Sequence, residues 1–259
     1  MAISENPVLD ETGVAAITEQ LKMGNVARVA EWIRQQARGP QPAVFYLGRQ
    51  PYCPTWDLQK QLHAWRVAGK LPDVALLLEH EPVYTLGKNA NEAHLLIRRP
   101  LEAAVVAIDR GGDVTYHGPG QLVGYPIVNL QDHRPSVTWY MRGLEEVIIQ
   151  TLATYGINAG RMEGLPGVWV RRRKVAALGV RLARWTTMHG FALNVSVPQR
   201  YLDGMIPCGL LEYGVTNLNA ILPAPTDVWE VARRITPILQ DFLGRSNARV
   251  SGIPQDQAA

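Results

Sequence analysis

Residues 110–121, with the sequence RGGDVTYHGPGQ, combine four glycines with side chains that can carry charge or form hydrogen bonds. Glycine is dense where the backbone turns tightly or comes close to a ligand. The stretch is not a P-loop, because Gly-x-x-x-x-Gly-Lys-Ser/Thr is missing, and it is not a dinucleotide fingerprint, because the next required glycine falls on Val123. The stretch therefore predicts a pocket for a substrate that is not recognised through a known nucleotide-binding motif. The alternative is a pair of plain hairpin turns.

A cysteine and a lysine are the candidates for nucleophilic chemistry. Cys208 lies between Pro207 and Gly209, which predicts a rigid turn that presents the thiol to a cleft. A free thiol with a pKa of about 8.5 needs activation, and a small buried apolar residue is the alternative role. Lys174 begins an apolar segment and is one of five lysines among 26 basic residues. Lysine can lose its proton and arginine cannot, although a surface charge beside Arg173 is the alternative.

Two histidines stand beside glycine, His117 before Gly118 and His189 before Gly190. Each is a candidate acid or base, a pocket-lining residue, or a hydrogen-bonded structural residue. There is no Cys-x-x-Cys or His-x-x-x-His cluster, so no structural zinc site is expected. The second cysteine, Cys53, is interpreted as a passive thiol, and two lone thiols suit a reducing cytosol better than a disulfide.

Composition excludes several classes of protein. The 259 residues are 47% hydrophobic and 19% charged, which excludes a disordered, collagen-like or disulfide-stapled chain. No run approaches the ~18 apolar residues of a membrane span. Residues 1–13 hold three acids and no base, so we expect neither a secretory signal nor a transit peptide. A net charge of +3 is weak for a nucleic-acid binder. Basic residues concentrate over 161–184, which suits an acidic partner or a solvated strand edge.

The elements that must position these residues follow from hydrophobic spacing. Helices are predicted over 14–38 with a break at 23–25, from Thr55 as N-cap to Gly69, over 136–155, and over 227–243 after Thr226. Strands are predicted at 43–48, 73–80, 82–86, 105–108, 113–117, 121–128, 167–170, 174–182 and 188–195. This order favours an α+β fold, with helices on one side of a mainly antiparallel sheet. We expect a helical extension over 1–42, a main domain over 43–245 and a flexible tail over 246–259.

Taken together, residues 43–220 resemble the octanoyltransferases of lipoate biosynthesis. The most specific segment is RGGDVTYHGPGQLVGY at 110–125, which matches the family signature. Segments 79–87, 167–170, 174–179, 189–194 and 207–209 follow in the family's order. The resemblance implies the fold of the biotin and lipoate protein ligase catalytic domains, a central, mostly antiparallel mixed sheet flanked by helices.

The resemblance also implies the reaction and the residues that perform it. An octanoyl group would pass from acyl carrier protein, through a Cys acyl-thioester, to the lysine of lipoyl domains in 2-oxoacid dehydrogenase E2 subunits and the glycine cleavage H protein. The catalytic pair would be Cys208 and Lys174, in the cytoplasm, with no cofactor, metal, nucleic acid or membrane. The implied substrate contacts are Arg110, Gly111, Gly112, Asp113, Val114, Thr115, Tyr116, His117, Ala177, Leu178, Gly179, Gly190, Phe191 and Ala192.

Three other functions remain open from the sequence. An ATP-dependent lipoate or biotin protein ligase would share the fold and a lysine like Lys174, but the Pro-Cys-Gly element at 207–209 argues against it. A transferase that moves octanoyl between carrier domains has different motifs around its cysteine. A catalytically silent binder of lipoyl domains is disfavoured because both residues of the pair are present.

Overall fold

A mixed β-sheet forms the centre of the fold. The computed structural model describes residues 11–39, 41–206 and 213–250. Within these ranges, an eight-stranded sheet has the order β1-β2-β6-β10-β9-β8-β7, with β11 paired to β9, and a smaller sheet has the order β4-β3-β5. The strands are β1 (Ala43–Gln50), β2 (Val74–His80), β3 (Val83–Leu86), β4 (Ala104–Ala107), β5 (Val114–His117), β6 (Gln121–Ile127), β7 (Gly160–Met162), β8 (Leu165–Val170), β9 (Arg173–Ala183), β10 (Thr186–Asn194) and β11 (Gly214–Val215).

Antiparallel pairing dominates, as predicted. Parallel pairs join β1 to β2, β3 to β4 and β9 to β11, and the other pairs are antiparallel. The predicted strand segments all coincide with strands of the structure. Sequence reasoning missed β7 and β11, because segments of three and two residues are too short to show a period.

Helices surround this sheet in the described ranges: α1 (Glu11–Lys22), α2 (Val26–Gln36), α3 (Tyr52–Val67), α4 (Val137–Ala153), α5 (Gln199–Leu202) and α6 (Val228–Val250). None of these is both long and apolar enough to cross a membrane. The predicted cap of α3 is wrong: Pro51 is the N-cap, and Thr55 lies inside the helix with its hydroxyl donating to the Pro51 carbonyl oxygen at 2.6 Å. At α6, the Asp227 carboxylate accepts the Glu230 N–H at 2.7 Å.

Helices cover both faces of the large sheet, so the expectation of helices on one side is wrong. On β2, Ala75 and Leu77 pack in the core that holds α4 and α6, whereas Leu76 and Leu78 pack in the core that holds α1, α2 and α3. A strand that buries both faces has a near-continuous apolar sequence, as β2 does. Such a run does not reveal which later or earlier helix covers each face.

The N-terminal helices are part of this second core. Val29, Ala30 and Ile33 on α2 are buried in it, together with Phe45 of β1 and Leu62 of α3. These residues join the N-terminal helices to the large sheet through a shared core.

Candidate active site

A cavity lies where the small sheet meets the large one, with about 330 Å³ of empty space that includes its opening to solvent. The small sheet contributes β5 and the loop before it, and the large sheet contributes β6, β9 and β10. The lining residues are Arg110, Thr115, His117, Tyr125, Ala177, Leu178, Gly179, His189, Gly190, Phe191 and Ala192. The structure thus brings together the three segments that the sequence had selected as substrate contacts.

Strand β5 divides its side chains between the cavity and a separate core. Thr115 and His117 line the cavity. Val114 and Tyr116 alternate with them and are buried in the core of the small sheet, where the Tyr116 ring stacks on Tyr201 with 4.7 Å between centroids. Alternation follows from the two-residue period of a strand. Val114 and Tyr116 were predicted to contact substrate, but the structure directs their side chains away from the cavity.

The loop before β5 holds Arg110 in place. Its guanidinium is buried, with Nη2 donating to the Thr85 carbonyl at 3.0 Å and to the Thr85 hydroxyl at 2.8 Å. The Gly111 N–H donates to the Val180 carbonyl at 3.2 Å, and the Asn89 N–H donates to the Gly112 carbonyl at 3.3 Å. The two glycines therefore join this loop to its neighbours through their backbones. The loop in turn holds the positive charge of Arg110 at the cavity.

Asp113 lies outside the cavity. Its carboxylate accepts the Val114 N–H at 2.8 Å and the Asn91 N–H at 3.1 Å, and it also pairs with His94. These bonds fix the chain before β5 and the turn after β3. The structure gives Asp113 this loop-anchoring arrangement instead of a place among the lining residues.

A chain of hydrogen bonds sets the tautomer of His117. Gln121 donates through Nε2 to the Tyr116 carbonyl at 3.0 Å and to Asn194 Oδ1 at 2.9 Å, so its Oε1 accepts from His117 Nδ1 at 2.8 Å. Burial lowers the pKa of His117 well below its usual value, and the proximity of His80 and the charge of Arg110 add to this effect. His117 is therefore neutral, with its proton on Nδ1 and a lone pair on Nε2.

Two further cavity-lining residues have partners outside the predicted set. Tyr125 was quoted within the signature but not assigned to the site; its hydroxyl donates to His80 Nε2 at 2.8 Å, while His80 Nδ1 donates to the Gln50 carbonyl at 3.0 Å. Burial lowers the pKa of His80 to about 4, so it stays neutral. His189, a candidate from its position beside glycine, donates through Nε2 to Asp109 Oδ1 at 3.0 Å.

Lys174 lies near the beginning of β9 and is only 6% exposed. Its Nζ stands 4.9 Å from the centroid of the Trp169 ring, a cation–π arrangement. Its carbonyl accepts the Thr216 N–H at 2.9 Å, and Val215 of β11 is its register partner. The alternative of a plain surface charge is therefore wrong.

Cys208 lies outside the described residues. The described chain stops at Ile206 and resumes at Tyr213. The chain on either side of this gap is paired with other segments: Met205 forms a β-bridge with Leu95, and Val215 pairs with Lys174. Among the residues that the structure describes, no group of three or more His, Cys, Asp or Glu could hold a metal ion.

The glycine pair Gly179 and Gly190, opposite each other on β9 and β10, allows close backbone approach at the cavity. A Cβ on Gly190 would lie 2.3 Å from the Gly124 carbonyl oxygen and 2.8 Å from Pro126 Cδ, whereas one on Gly179 would have its nearest contacts at 3.2 Å. We expect Gly190→Ala to destabilise the fold by roughly 1–3 kcal/mol through overpacking. Thermal unfolding of both variants measures this, and an equal midpoint for Gly190→Ala and Gly179→Ala would contradict it.

Comparison with known proteins identifies the family. Residues 51–240 match the family model described as the lipoyl protein ligase A/B catalytic domain. An octanoyltransferase from Solibacter usitatus is 50% identical over 194 residues, covering 73% of this chain and 87% of that protein. One from Mycolicibacterium gilvum is 42% identical over 241 residues, covering 90% of this chain and 98% of that protein.

Solved structures show the same fold at low sequence identity. A bi-partite lipoate protein ligase from Thermoplasma acidophilum, whose structural study includes its E2 lipoyl domain, has a TM-score of 0.57 at 13% identity and covers 81% of this chain and 91% of its own. This likeness confirms the predicted ligase-type fold. The family match and the octanoyltransferase relatives together show that the chain belongs to the octanoyltransferases of the lipoyl protein ligase A/B catalytic domain family.

Proposed function

We propose that the chain transfers octanoyl from acyl carrier protein to the lysine of lipoyl domains, through a thioester on Cys208. Its membership in the octanoyltransferases supports the coarser part of this statement, that it is an acyltransferase acting in protein lipoylation. The acceptors proposed are lipoyl domains of 2-oxoacid dehydrogenase E2 subunits and the glycine cleavage H protein, and the proposed location is the cytoplasm. The proposal adds to this the identity of the donor, the thioester intermediate and the roles of individual residues.

The observation that carries the proposal is the position of Lys174. It is a buried lysine on the strand that also lines the cavity, through Ala177, Leu178 and Gly179. Its register partner Val215 follows closely on the segment that carries Cys208. A lysine at this place can serve as the proton acceptor for a thiol on that segment.

In the first half-reaction, Lys174 acts as the base that takes the proton of the Cys208 thiol, and the thiolate attacks the carbonyl carbon of the octanoyl thioester. The tetrahedral intermediate expels the carrier thiolate, which takes the proton back from Lys174. A C–S bond forms to Cys208 as the C–S bond to the carrier breaks. The product is octanoyl-Cys208 and the free carrier thiol.

In the second half-reaction, the neutral amine of the acceptor lysine attacks octanoyl-Cys208. Lys174 accepts the proton that this nitrogen loses, the C–S bond breaks, and Lys174 returns the proton to the departing Cys208 thiolate. No ATP is consumed, because a thioester is an activated acyl group and the amide is the more stable product.

We assign the acyl chain to this cavity. Tyr125, Leu178 and Phe191 supply apolar surface, and Gly179 and Gly190 let the chain run along bare backbone. Seven carbons beyond the carbonyl, at ~0.8 kcal/mol each, contribute roughly 5–6 kcal/mol at most when buried. One methylene more or less changes this burial free energy little, so selection of the acyl chain by its length needs a cavity with a closed end.

An ATP-dependent ligase is the second candidate, and the same fold supports it. The relatives at 42–50% identity are octanoyltransferases, whereas the lipoate protein ligase from Thermoplasma acidophilum is 13% identical and shares only the fold. The specific similarity therefore favours transfer from a thioester over activation of a free acid.

Intact mass after mixing the protein with octanoyl-carrier protein, without ATP, tests the proposal. We expect a gain of one octanoyl group that is absent in Cys208→Ser. The matched control is Cys53→Ser, because Cys53 is an exposed free thiol and its loss should leave the adduct unchanged. An adduct only with octanoate and ATP would support the ligase instead, and an adduct that survives Cys208→Ser would assign the wrong nucleophile.

A further inference from the structure

The basic run over 161–184 does not form one surface. Arg161 pairs with Glu145 and Glu146 at 2.9 Å each, and Arg181 pairs with Asp109 at 3.0 Å. Strand β9 carries the run from Arg173 to Ala183, and at about 3.3 Å per residue its ends lie about 33 Å apart. The arginines at the start of β9 therefore belong to a different surface from those at its end.

An exposed apolar pair lies near the start of β9. Ile97 and Leu101 are 95% and 81% exposed, which makes them the most exposed large apolar side chains of the described ranges. They are held on a turned segment in which the Arg99 N–H donates to the Leu96 carbonyl at 3.1 Å. Exposed apolar side chains rimmed by polar residues mark interaction surfaces.

This segment is attached to the chain that leads directly to Cys208. The Leu96 N–H donates to the Gly204 carbonyl at 3.0 Å, and the Ile206 N–H donates to the His94 carbonyl at 2.8 Å. Leu95 and Met205 complete an antiparallel bridge. A partner that rests on Ile97 and Leu101 therefore lies beside the nucleophile's segment.

Positive charge dominates the rim of this surface. Arg98 donates through Nε to the Asp203 carbonyl at 3.1 Å and lines a groove with Arg173 and Tyr213. Arg172 stands 5.2 Å from the Tyr213 ring centroid. The charged residues that line this groove are Arg98, Arg173 and Asp203.

We propose that Ile97 and Leu101, with Arg98, Arg172 and Arg173, form the docking surface for the acidic carrier protein that brings the octanoyl thioester. This inference rests on the proposed function, in which the octanoyl thioester reaches Cys208 on a protein carrier. The arginines steer an acidic carrier to the surface, and the apolar pair supplies the desolvated contact at its centre.

The test compares two donors. Ile97→Ser/Leu101→Ser and Arg98→Glu are assayed with octanoyl-carrier protein and with octanoyl-pantetheine, a small thioester that lacks the carrier. We expect KM for the carrier to rise at least tenfold in both variants, with kcat/KM for octanoyl-pantetheine and KM for the lipoyl domain within twofold of the parent. The salt dependence of kcat/KM with the carrier should become shallower in Arg98→Glu.

Matched controls are Met23→Ser, which removes another exposed apolar side chain just after α1, and Arg184→Glu, which reverses a charge just beyond the far end of β9. Both should leave the carrier KM unchanged. An unchanged carrier KM in the surface variants would overturn the inference while leaving the proposed function intact. A rise in lipoyl-domain KM instead would assign the surface to the acceptor and also overturn it. Failure of the parent enzyme to be acylated by either donor would refute the proposed function itself.

Discussion

Lys174→Arg is expected to lower kcat/KM for octanoyl transfer by 10²–10⁴-fold, the usual contribution of a positioned acid or base. Arginine keeps the positive charge but cannot lose its proton at neutral pH, so it cannot activate the Cys208 thiol. The larger guanidinium must also fit a site in which Lys174 is 6% exposed and packs on Trp169. Steady-state transfer to a lipoyl domain measures the loss, and intact mass measures the acylation half-reaction separately.

A lysine with similar local contacts provides the control. Lys60 also lies over a tryptophan, with Nζ 3.7 Å from the Trp56 ring centroid, but it is exposed and pairs with Asp57. Lys60→Arg should leave transfer unchanged. Full activity of a folded Lys174→Arg protein would show that Lys174 is not the proton acceptor. Circular dichroism would detect unfolding of that variant, and in that case Lys174→Met, an uncharged side chain of similar length, would replace it in the same assay.

Asp73→Asn is expected to destabilise the fold by about 3–5 kcal/mol, the cost of breaking a buried ion pair on one side. The Asp73 side chain is 5% exposed. It accepts from Arg66 Nε at 2.6 Å, from His133 Nε2 at 2.5 Å and from the Asn129 N–H at 3.0 Å. Because an amide is uncharged and has a single acceptor oxygen, Asp73→Asn removes the carboxylate that faces Arg66 and the buried His133, although Arg66 still pairs with Asp132. Urea unfolding at pH 7 measures the change.

The same carboxylate gives a pH dependence with a defined sign. Burial raises the pKa of Asp73, but the hydrogen bond from His133 and the charge of Arg66 outweigh it and hold the pKa below its ordinary value. A lowered pKa in the folded state means that the stabilisation is complete above the unfolded-state pKa of about 3.9, and is lost as the pH falls through the folded-state value. The parent protein should therefore lose stability below about pH 5 more steeply than Asp73→Asn.

An exposed ion pair is the control for Asp73. Asp57 pairs with Lys60 at 2.9 Å, and its side chain is 57% exposed. Asp57→Asn should change the free energy of unfolding by less than about 1 kcal/mol, as surface ion pairs usually do. Parallel acid limbs for the parent and Asp73→Asn would show that another group governs acid unfolding.

The sequence predicted the region of the site better than the direction of its side chains. The segments containing Arg110, His117, Gly179 and Gly190 do converge on one cavity. Within the signature, however, Tyr116 packs in another core, because a strand sends alternate residues to opposite faces. A run of residues that all carry chemical groups does not reveal which of the two faces meets the ligand. Tyr125 was missed because β6 is buried along its whole length, so the sequence of this strand does not distinguish a residue that lines the cavity from one that packs in the core.

By itself, the sequence determined the family, the types of chemistry available and nearly all of the strands and helices, because motif spacing and hydrophobic period are local properties. Only the tertiary structure decided which helices cover each face of the sheet, which residues line the cavity, and that Asp73 joins Arg66 to His133. It also decided that the exposed Ile97 lies next to the segment leading to Cys208. Each of these depends on strand register and on contacts between residues distant in the chain, and neither is encoded in a local pattern.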